Sequence, residues 1–197
     1  MNFGLCGVSC TGKSTLVNAI YEKFGTKIGI INEATRKEVI DYSSLKIHDE
    51  EYASTREDSI IFNESLIARQ IAIELEVQKI SKEDTCIESC DLNNLMYYLF
   101  FAARYQDAKQ IDEMCTKTFV HIKTYYDLIF YIPFSGRCFG AVHRGQPSRY
   151  VLDVQDSILS RLIYRHVRLD VVKLAVGMGK NESIEFVMKE LGKRGLN

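Results

Sequence analysis

The stretch Gly7-Val8-Ser9-Cys10-Thr11-Gly12-Lys13-Ser14-Thr15 satisfies the pattern G-x-x-x-x-G-K-[ST] at every fixed position. The pattern has a purpose only where a buried strand ends, the chain turns sharply and a helix begins at once. The flanks meet that demand. Asn2 to Cys6 is a short, mostly apolar run, and Ser14 to Phe24 carries Leu16, Ala19, Ile20 and Phe24 at helical spacing, with Gly25 as a stop. Gly7 and Gly12 permit the tight turn. The backbone N–H groups of Ser9, Cys10, Thr11, Gly12, Lys13, Ser14 and Thr15 then face phosphate oxygens, helped by the positive end of the helix. Lys13 reaches the β- and γ-phosphates, and the Ser14 hydroxyl is a ligand for Mg²⁺. The stretch predicts a nucleoside triphosphate site using ATP and Mg²⁺.

Composition narrows the setting. The 197 residues suffice for one sizeable core, so a single domain over 1–197 is expected. With 46% hydrophobic and 26% charged residues and a net charge of −1, no global field draws the chain to nucleic acid or membrane. No apolar run approaches a membrane span, and the N-terminus enters a strand directly, so a cytoplasmic location and no membrane partner are expected. A homodimer is left open. Cys6, Cys10, Cys86, Cys90, Cys115 and Cys138 form no C-x-x-C pair, and His121 alone among histidines lies between Cys90 and Cys138, so a zinc site is not expected.

Along the chain, Lys27 to Ile31 is a second apolar run, followed by Asn32-Glu33-Ala34-Thr35-Arg36. Asn32 can cap a helix from Glu33, and residues just beyond parallel strands line the ligand crevice, which makes Glu33 and Arg36 site candidates. Arg56 to about Lys82 reads as a long amphipathic helix with Ile60, Ile61, Leu66, Ile67, Ile71, Leu75 and Ile80 as its stripe; Gln70 and Glu74, one turn apart, are candidates to face a substrate. Thr85 to Ile87 is a short third strand ending at Glu88, placed as an acid that holds Mg²⁺. Helices follow near Leu92 to Arg104, rich in tyrosine and phenylalanine, and near Asp107 to Ile122. Tyr126 to Ile132 is the clearest strand. Beyond it, about 134–149 is rich in glycine and arginine and contains Arg137, Arg144 and Arg149. A helix from Tyr150 to His166 with core stripe Val151, Val154, Ile158 and Leu162, a strand from Val171 to Val176 and a helix from Glu182 to Leu191 complete the chain.

Strands alternating with helices imply a mainly parallel sheet covered on both faces. The fold class is therefore α/β: a P-loop NTPase of three layers, with a five-stranded, mainly parallel sheet and an arginine-bearing lid. A GTPase would carry N-K-x-D and a D-x-x-G after a strand, and the sequence has neither. A motor or AAA-type ATPase would carry four apolar residues followed by Asp-Glu, where this chain's short third strand ends Ile87-Glu88-Ser89. An acceptor region after strand two and arginines after strand four instead fit a small-molecule kinase, in which positioning and charge neutralisation do most of the work. Arg144 and Arg149 in the lid, with Arg36, are the candidates to meet the γ-phosphoryl group.

The phosphate loop, Asn32 to Arg36, Tyr126 to Ile132 with its Arg144-bearing loop, and the ending from Val171 to Leu191 together resemble nucleoside-kinase-type P-loop proteins, especially the nicotinamide riboside kinase domain and its AAA-labelled relatives. The resemblance implies an ATP-dependent kinase acting on a nucleoside, nucleotide-like or riboside acceptor. In the similar deoxynucleoside kinases an acid after strand two acts as base, a part Glu33 matches. Those enzymes carry Glu-Arg-Ser after strand three; Glu88-Ser89-Cys90 lacks that arginine, which leaves Arg36 or a lid arginine to substitute. A hydroxymethylated base in DNA, as in viral DNA modification, is an alternative acceptor, and a non-kinase P-loop ATPase an alternative activity.

Overall fold

The computed structural model describes residues 1–32, 56–80, 83–102, 106–136, 148–166 and 169–196. Their elements run β1 (Asn2–Cys6), α1 (Lys13–Phe24), β2 (Ile28–Ile31), α2 (Arg56–Ile80), β3 (Asp84–Ile87), α3 (Asp91–Ala102), α4 (Ala108–Tyr125), β4 (Leu128–Tyr131), α5 (Arg149–His166), β5 (Asp170–Lys173) and α6 (Lys180–Lys193). A single 3₁₀ turn, Gly25–Lys27, joins α1 to β2.

The strands form one sheet in the order β2-β3-β1-β4-β5, and each recorded pairing is parallel. The expected arrangement of layers is present, and the sheet is parallel throughout. β1 occupies the centre, with Phe3 opposite both Cys86 and Leu128. The chain leaves β1 toward the β2 side, returns to β3, and then crosses to β4. Such a reversal opens a crevice at the carboxyl ends of the strands, here directly above β1.

Alternation along the strands divides the core in two. Phe3, Leu5, Cys86, Leu128 and Phe130 turn to one face, under Leu16, Val17, Ile20 and Phe24 of α1 and Val187 and Leu191 of α6. Cys6, Ile31, Ile87, Ile129 and Tyr131 turn to the other, under α2, α3, α4 and α5. β5 is an edge strand; Val171 packs toward one layer and Val172 toward the other, while Asp170 and Lys173 at its ends are exposed.

Two helical stripes differ from expectation. On α2, Ile60, Leu66 and Ile67 are buried, but Ile61, Leu75 and Ile80 are exposed, and the buried line runs on through Gln70 and Glu74. On α5, Val154 is exposed and the buried line is Leu152, Gln155, Leu159 and Ile163 with Leu162. In both helices a polar residue occupies a core position, so apolar periodicity selects a rotated face. On α1, Val17 takes a core place that periodicity assigns to Ala19.

Gly4, in the middle of β1, is a packing requirement: a Cβ there would lie 2.7 Å from both Cys90 Cβ and Tyr126 Cε1. Gly4→Ala is expected to destabilise the protein by about 1–3 kcal/mol through overpacking. A denaturant midpoint unchanged from wild type would show that Cys90 and Tyr126 do not press on β1 as described.

Candidate functional site

β1 delivers Gly7 to the crevice, and two close approaches keep the position free of a side chain. A Cβ there would stand 2.7 Å from the Ile132 carbonyl oxygen and from Thr11 Oγ1. Cys10 (φ 65°) and Gly12 (φ 94°) both adopt left-handed backbone, a cost for the cysteine that glycine escapes. Alternating handedness is the geometry that turns successive amides toward an anion. Side chains fasten the loop: Thr11 Oγ1 donates to the Val8 carbonyl at 2.9 Å, and Lys13 Nζ donates to the carbonyls of Gly7 (2.8 Å) and Val8 (3.1 Å). The Lys13 ammonium thus lies along the loop that it would share with a phosphate.

Ser14, in the first turn of α1, donates from Oγ to Glu88 Oε1 at 2.6 Å. Glu88 directly follows β3, is buried, and is placed by its N–H bond to the Ile31 carbonyl. Two adjacent oxygen donors, one anionic, beside an anion-binding loop fit a hard divalent cation such as Mg²⁺.

The loop is also braced from beneath by α3. The Gly7 N–H donates to Asn93 Oδ1 at 3.0 Å, while Asn93 Nδ2 donates to Ser89 Oγ at 2.7 Å. One turn later Tyr97 OH and Ser9 Oγ are hydrogen-bonded at 2.8 Å. Sequence reasoning missed both residues. Asn93 is a buried amide two places into a helix just past Glu88, and that position is the signal that was available.

Beside the loop lies a cleft of ≈ 280 Å³, bounded by Thr11, Thr15, Pro133, Leu174, Ala175 and Lys180 among others. It joins the phosphate loop, the residues after β4 and the turn before α6. The segment after β4 leaves through Phe134, Ser135 and Gly136, and Asp156 of α5 holds its root by accepting from Tyr131 OH at 3.0 Å. Burial pushes the Asp156 carboxyl up from its usual range, opposed by that bond and by one from the Phe134 backbone.

Of the residues proposed from sequence, Gly7, Ser9, Cys10, Thr11, Gly12, Lys13, Ser14, Thr15 and Glu88 come together at this crevice. Arg149 stands at the start of α5 with its guanidinium packed against Gly136, 3.0 Å from where a Cβ would sit, so the described ends on either side of 137–147 meet. Glu33, Arg36 and Arg144 lie outside the described residues. Gln70 and Glu74 are fully buried and bonded to one another, with Gln70 Nε2 donating to Glu74 Oε1 at 2.6 Å. They turn into the layer between α2, α3 and α4, a correction to the expectation that they face a substrate.

A family model described as an AAA domain matches residues 2–177. The chain belongs to that family. No curated protein matches this AAA-domain chain in sequence. Three solved structures of deoxyadenosine kinase from M. mycoides share its fold. The structure with products dCMP and a flexible dCDP aligns with TM-score 0.70 at 12% identity, over 98% of this chain and 100% of that one. The structure with bound dCTP gives 0.65 at 13%, over 98% and 100%. That with bound dATP gives 0.63 at 13%, over 98% and 99%. At such identities the likeness is one of fold, the P-loop kinase fold.

Removing the brace tests how far the AAA-domain loop depends on α3. Asn93→Ala leaves the buried Gly7 N–H unpaired, and a cost of about 1–3 kcal/mol is expected. Tyr97→Phe, which deletes one half-buried contact, is expected to cost less. Phosphate or nucleotide affinity measured by calorimetry, alongside denaturant unfolding, checks both; equal effects from the two variants would contradict the brace.

Proposed function

We propose that this protein is an ATP-dependent kinase that passes the γ-phosphoryl group to a hydroxyl of a nucleoside, riboside or nucleotide-like acceptor. The observation that carries the reading is Ser14 bonded to Glu88 beside the Lys13-bearing loop, in a fold shared over 98% of the chain with deoxyadenosine kinases. Mg²⁺, when bound with ATP, supplies charge neutralisation between the β- and γ-phosphates. The chain's residues do the rest. The amides of residues 9 to 15 and the α1 N-terminus hold the phosphates. Lys13 would exchange its carbonyl partners for phosphate oxygens, and Ser14 and Glu88 would hold the cation. The cleft beside Thr15, Pro133 and Ala175 receives the nucleotide's flat base.

On this reading residues 1–197 form one catalytic domain, with about 134–149 as a lid that closes to exclude water. Arg36, Arg144 and Arg149 meet the charge that grows on the transferring group. Glu33 takes the acceptor's proton. A glutamate near its ordinary pKa of about 4.3 is ionised at neutral pH; it helps a hydroxyl lose its proton and repels a second phosphate. That asymmetry favours a hydroxyl acceptor over a nucleoside monophosphate.

A hydroxymethyl group on a base within DNA is the second reading. It is supported by arginine and tyrosine side chains exposed along α5, where Arg149, Tyr150, Arg161, Tyr164 and Arg165 lie at the surface. An ATP-consumption screen against nucleosides, nucleotides and modified single- and double-stranded DNA separates the two.

Lys13→Ala is expected to keep the fold and lower phosphoryl transfer by roughly a hundredfold or more; unchanged turnover would remove the central claim. Glu33→Gln is expected to retain ATP binding and lose most transfer to a hydroxyl. Near-normal turnover in that variant, or wild-type activity confined to nucleoside monophosphates, overturns Glu33 as the base. Arg144→Ala is expected to reduce kcat more than nucleotide affinity, because its charge is needed mainly as the group transfers. A loss of nucleotide affinity with kcat unchanged would assign Arg144 to ground-state binding.

A further inference from the structure

Beneath β1, on the face covered by α2, α3 and α4, lies a second group of ionisable side chains that takes no part in the phosphate site. Glu74 from α2, Asp91 from the first turn of α3 and His121 from α4 converge there, with Glu74 and Asp91 wholly buried and His121 nearly so. His121 Nε2 lies 2.7 Å from Glu74 Oε2 and 3.4 Å from Asp91 Oδ2. One donor atom from each residue falls within 4.8 Å of the others.

Two features set this cluster apart from an ordinary buried ion pair. First, its charges do not balance. Among the described residues His121 is the basic group paired with either carboxylate, so two buried acids face one imidazole. Second, neither Asp91 carboxylate oxygen accepts a hydrogen bond, although both are shut away from water. A buried unbonded carboxylate costs several kcal/mol unless protonated or neutralised by a cation. Burial, and Glu74 beside it, accordingly push the Asp91 carboxyl well up from its usual range.

Glu74 is prepared differently. Its Oε1 accepts from Gln70 Nε2 and from Tyr126 OH, each at 2.6 Å, which turns Oε2 toward His121 and Asp91. Outer hydrogen bonds that fix one oxygen of a carboxylate and present the other are the usual support of a metal ligand. The spacing also fits. With metal–ligand bonds of about 2.0–2.1 Å, a tetrahedral site places neighbouring donors about 3.3 Å apart. The His121–Asp91 separation of 3.4 Å already matches, the His121–Glu74 separation needs to open by roughly half an ångström, and the Glu74 and Asp91 donors lie within 4.8 Å of each other.

We propose that Glu74, Asp91 and His121 form a structural binding site for one divalent transition-metal ion of the Zn²⁺ class, distinct from the Mg²⁺ position at Ser14 and Glu88. One imidazole with two carboxylates suits such an ion better than Mg²⁺ or Ca²⁺, which favour oxygen alone. Such an ion is held by the Nε2 lone pair of His121 and one oxygen from each carboxylate, and ties α2, α3 and α4 together below the phosphate loop. Cysteine spacing, from which no zinc site is expected, is silent on these ligands because none of them is a cysteine.

The test uses the full chain without nucleotide, stripped by chelator and then titrated with Zn²⁺ alone, Co²⁺ alone or Mg²⁺ alone. The expected result is one tightly held equivalent of Zn²⁺ by elemental analysis. With it should come a rise in the thermal midpoint on the order of 10 °C, and the intense visible absorption of tetrahedral Co²⁺. Mg²⁺ should reproduce none of these. His121→Ala and Asp91→Asn should lose the equivalent, and Glu88→Gln should keep it. Should the first two variants fail to fold, the wild-type stoichiometry and the Co²⁺ spectrum decide alone. No retained Zn²⁺ and no midpoint shift in the wild type would leave a proton-sharing triad and overturn the proposal. Loss of Zn²⁺ in Glu88→Gln with retention in His121→Ala would overturn it equally, by moving the ion to the phosphate loop.

Discussion

A phosphate loop must be held in shape without consuming the amides that face its ligand, and much of this structure answers that constraint. The fastening falls on groups that point elsewhere: the carbonyls of Gly7 and Val8, the hydroxyls of Ser9 and Thr11, and the ammonium of Lys13. The amide of Gly7, ahead of those that face the ligand, goes to a side-chain amide from α3. That places α3 under a demand beyond packing. It must carry Asn93 and Tyr97 on the turn that looks up at β1, and its start must follow Glu88 closely enough to keep the carboxylate over Ser14. The short link between β3 and α3 serves both the Ser14–Glu88 pair and the loop.

The fold was legible to the extent that it rests on local pattern. The glycine-lysine loop, the apolar runs of all five strands and their alternation with helices yield a three-layer parallel sheet without long-range information. Helix faces were less legible. On α2 and α5 the core line passes through Gln70, Glu74 and Gln155, and a reading by hydrophobicity steps around such residues. The site divided in the same way. Gly7 to Thr15 is contiguous and was read whole, and Glu88 was found from its place after a strand. Asn93 and Tyr97 act on residues more than 80 positions earlier, and no spacing rule links them. The Glu74, Asp91 and His121 group is drawn from three helices, so only the packing of α2 and α4 on α3 makes it visible.

The two buried polar systems share α3. Its first turn presents Asp91 downward and Asn93 upward, so the helix joins the layer beneath the sheet to the loop above it. A polar core of this kind contributes less to stability than an apolar one of equal volume, because its charges must first be stripped of water. What it gives in return is register: α3 cannot slide or rotate by a residue without breaking the bonds of Asn93 and Tyr97 to the loop and parting Asp91 from His121.

The edge of the sheet at β5 has a consequence of its own. Among the described residues β5 pairs with β4 alone, and an open strand edge offers a row of backbone groups to any extended chain, including a second copy. β5 is four residues long and carries a charge at each end; Asp170 is gripped by the Arg194 guanidinium at 2.6 Å, and Lys173 lies 5.8 Å from the ring centres of Tyr131 and Tyr164. An added strand would have to displace or bury both charges to gain only a few hydrogen bonds. The charges at the two ends of β5 thus weigh against edge-to-edge pairing there.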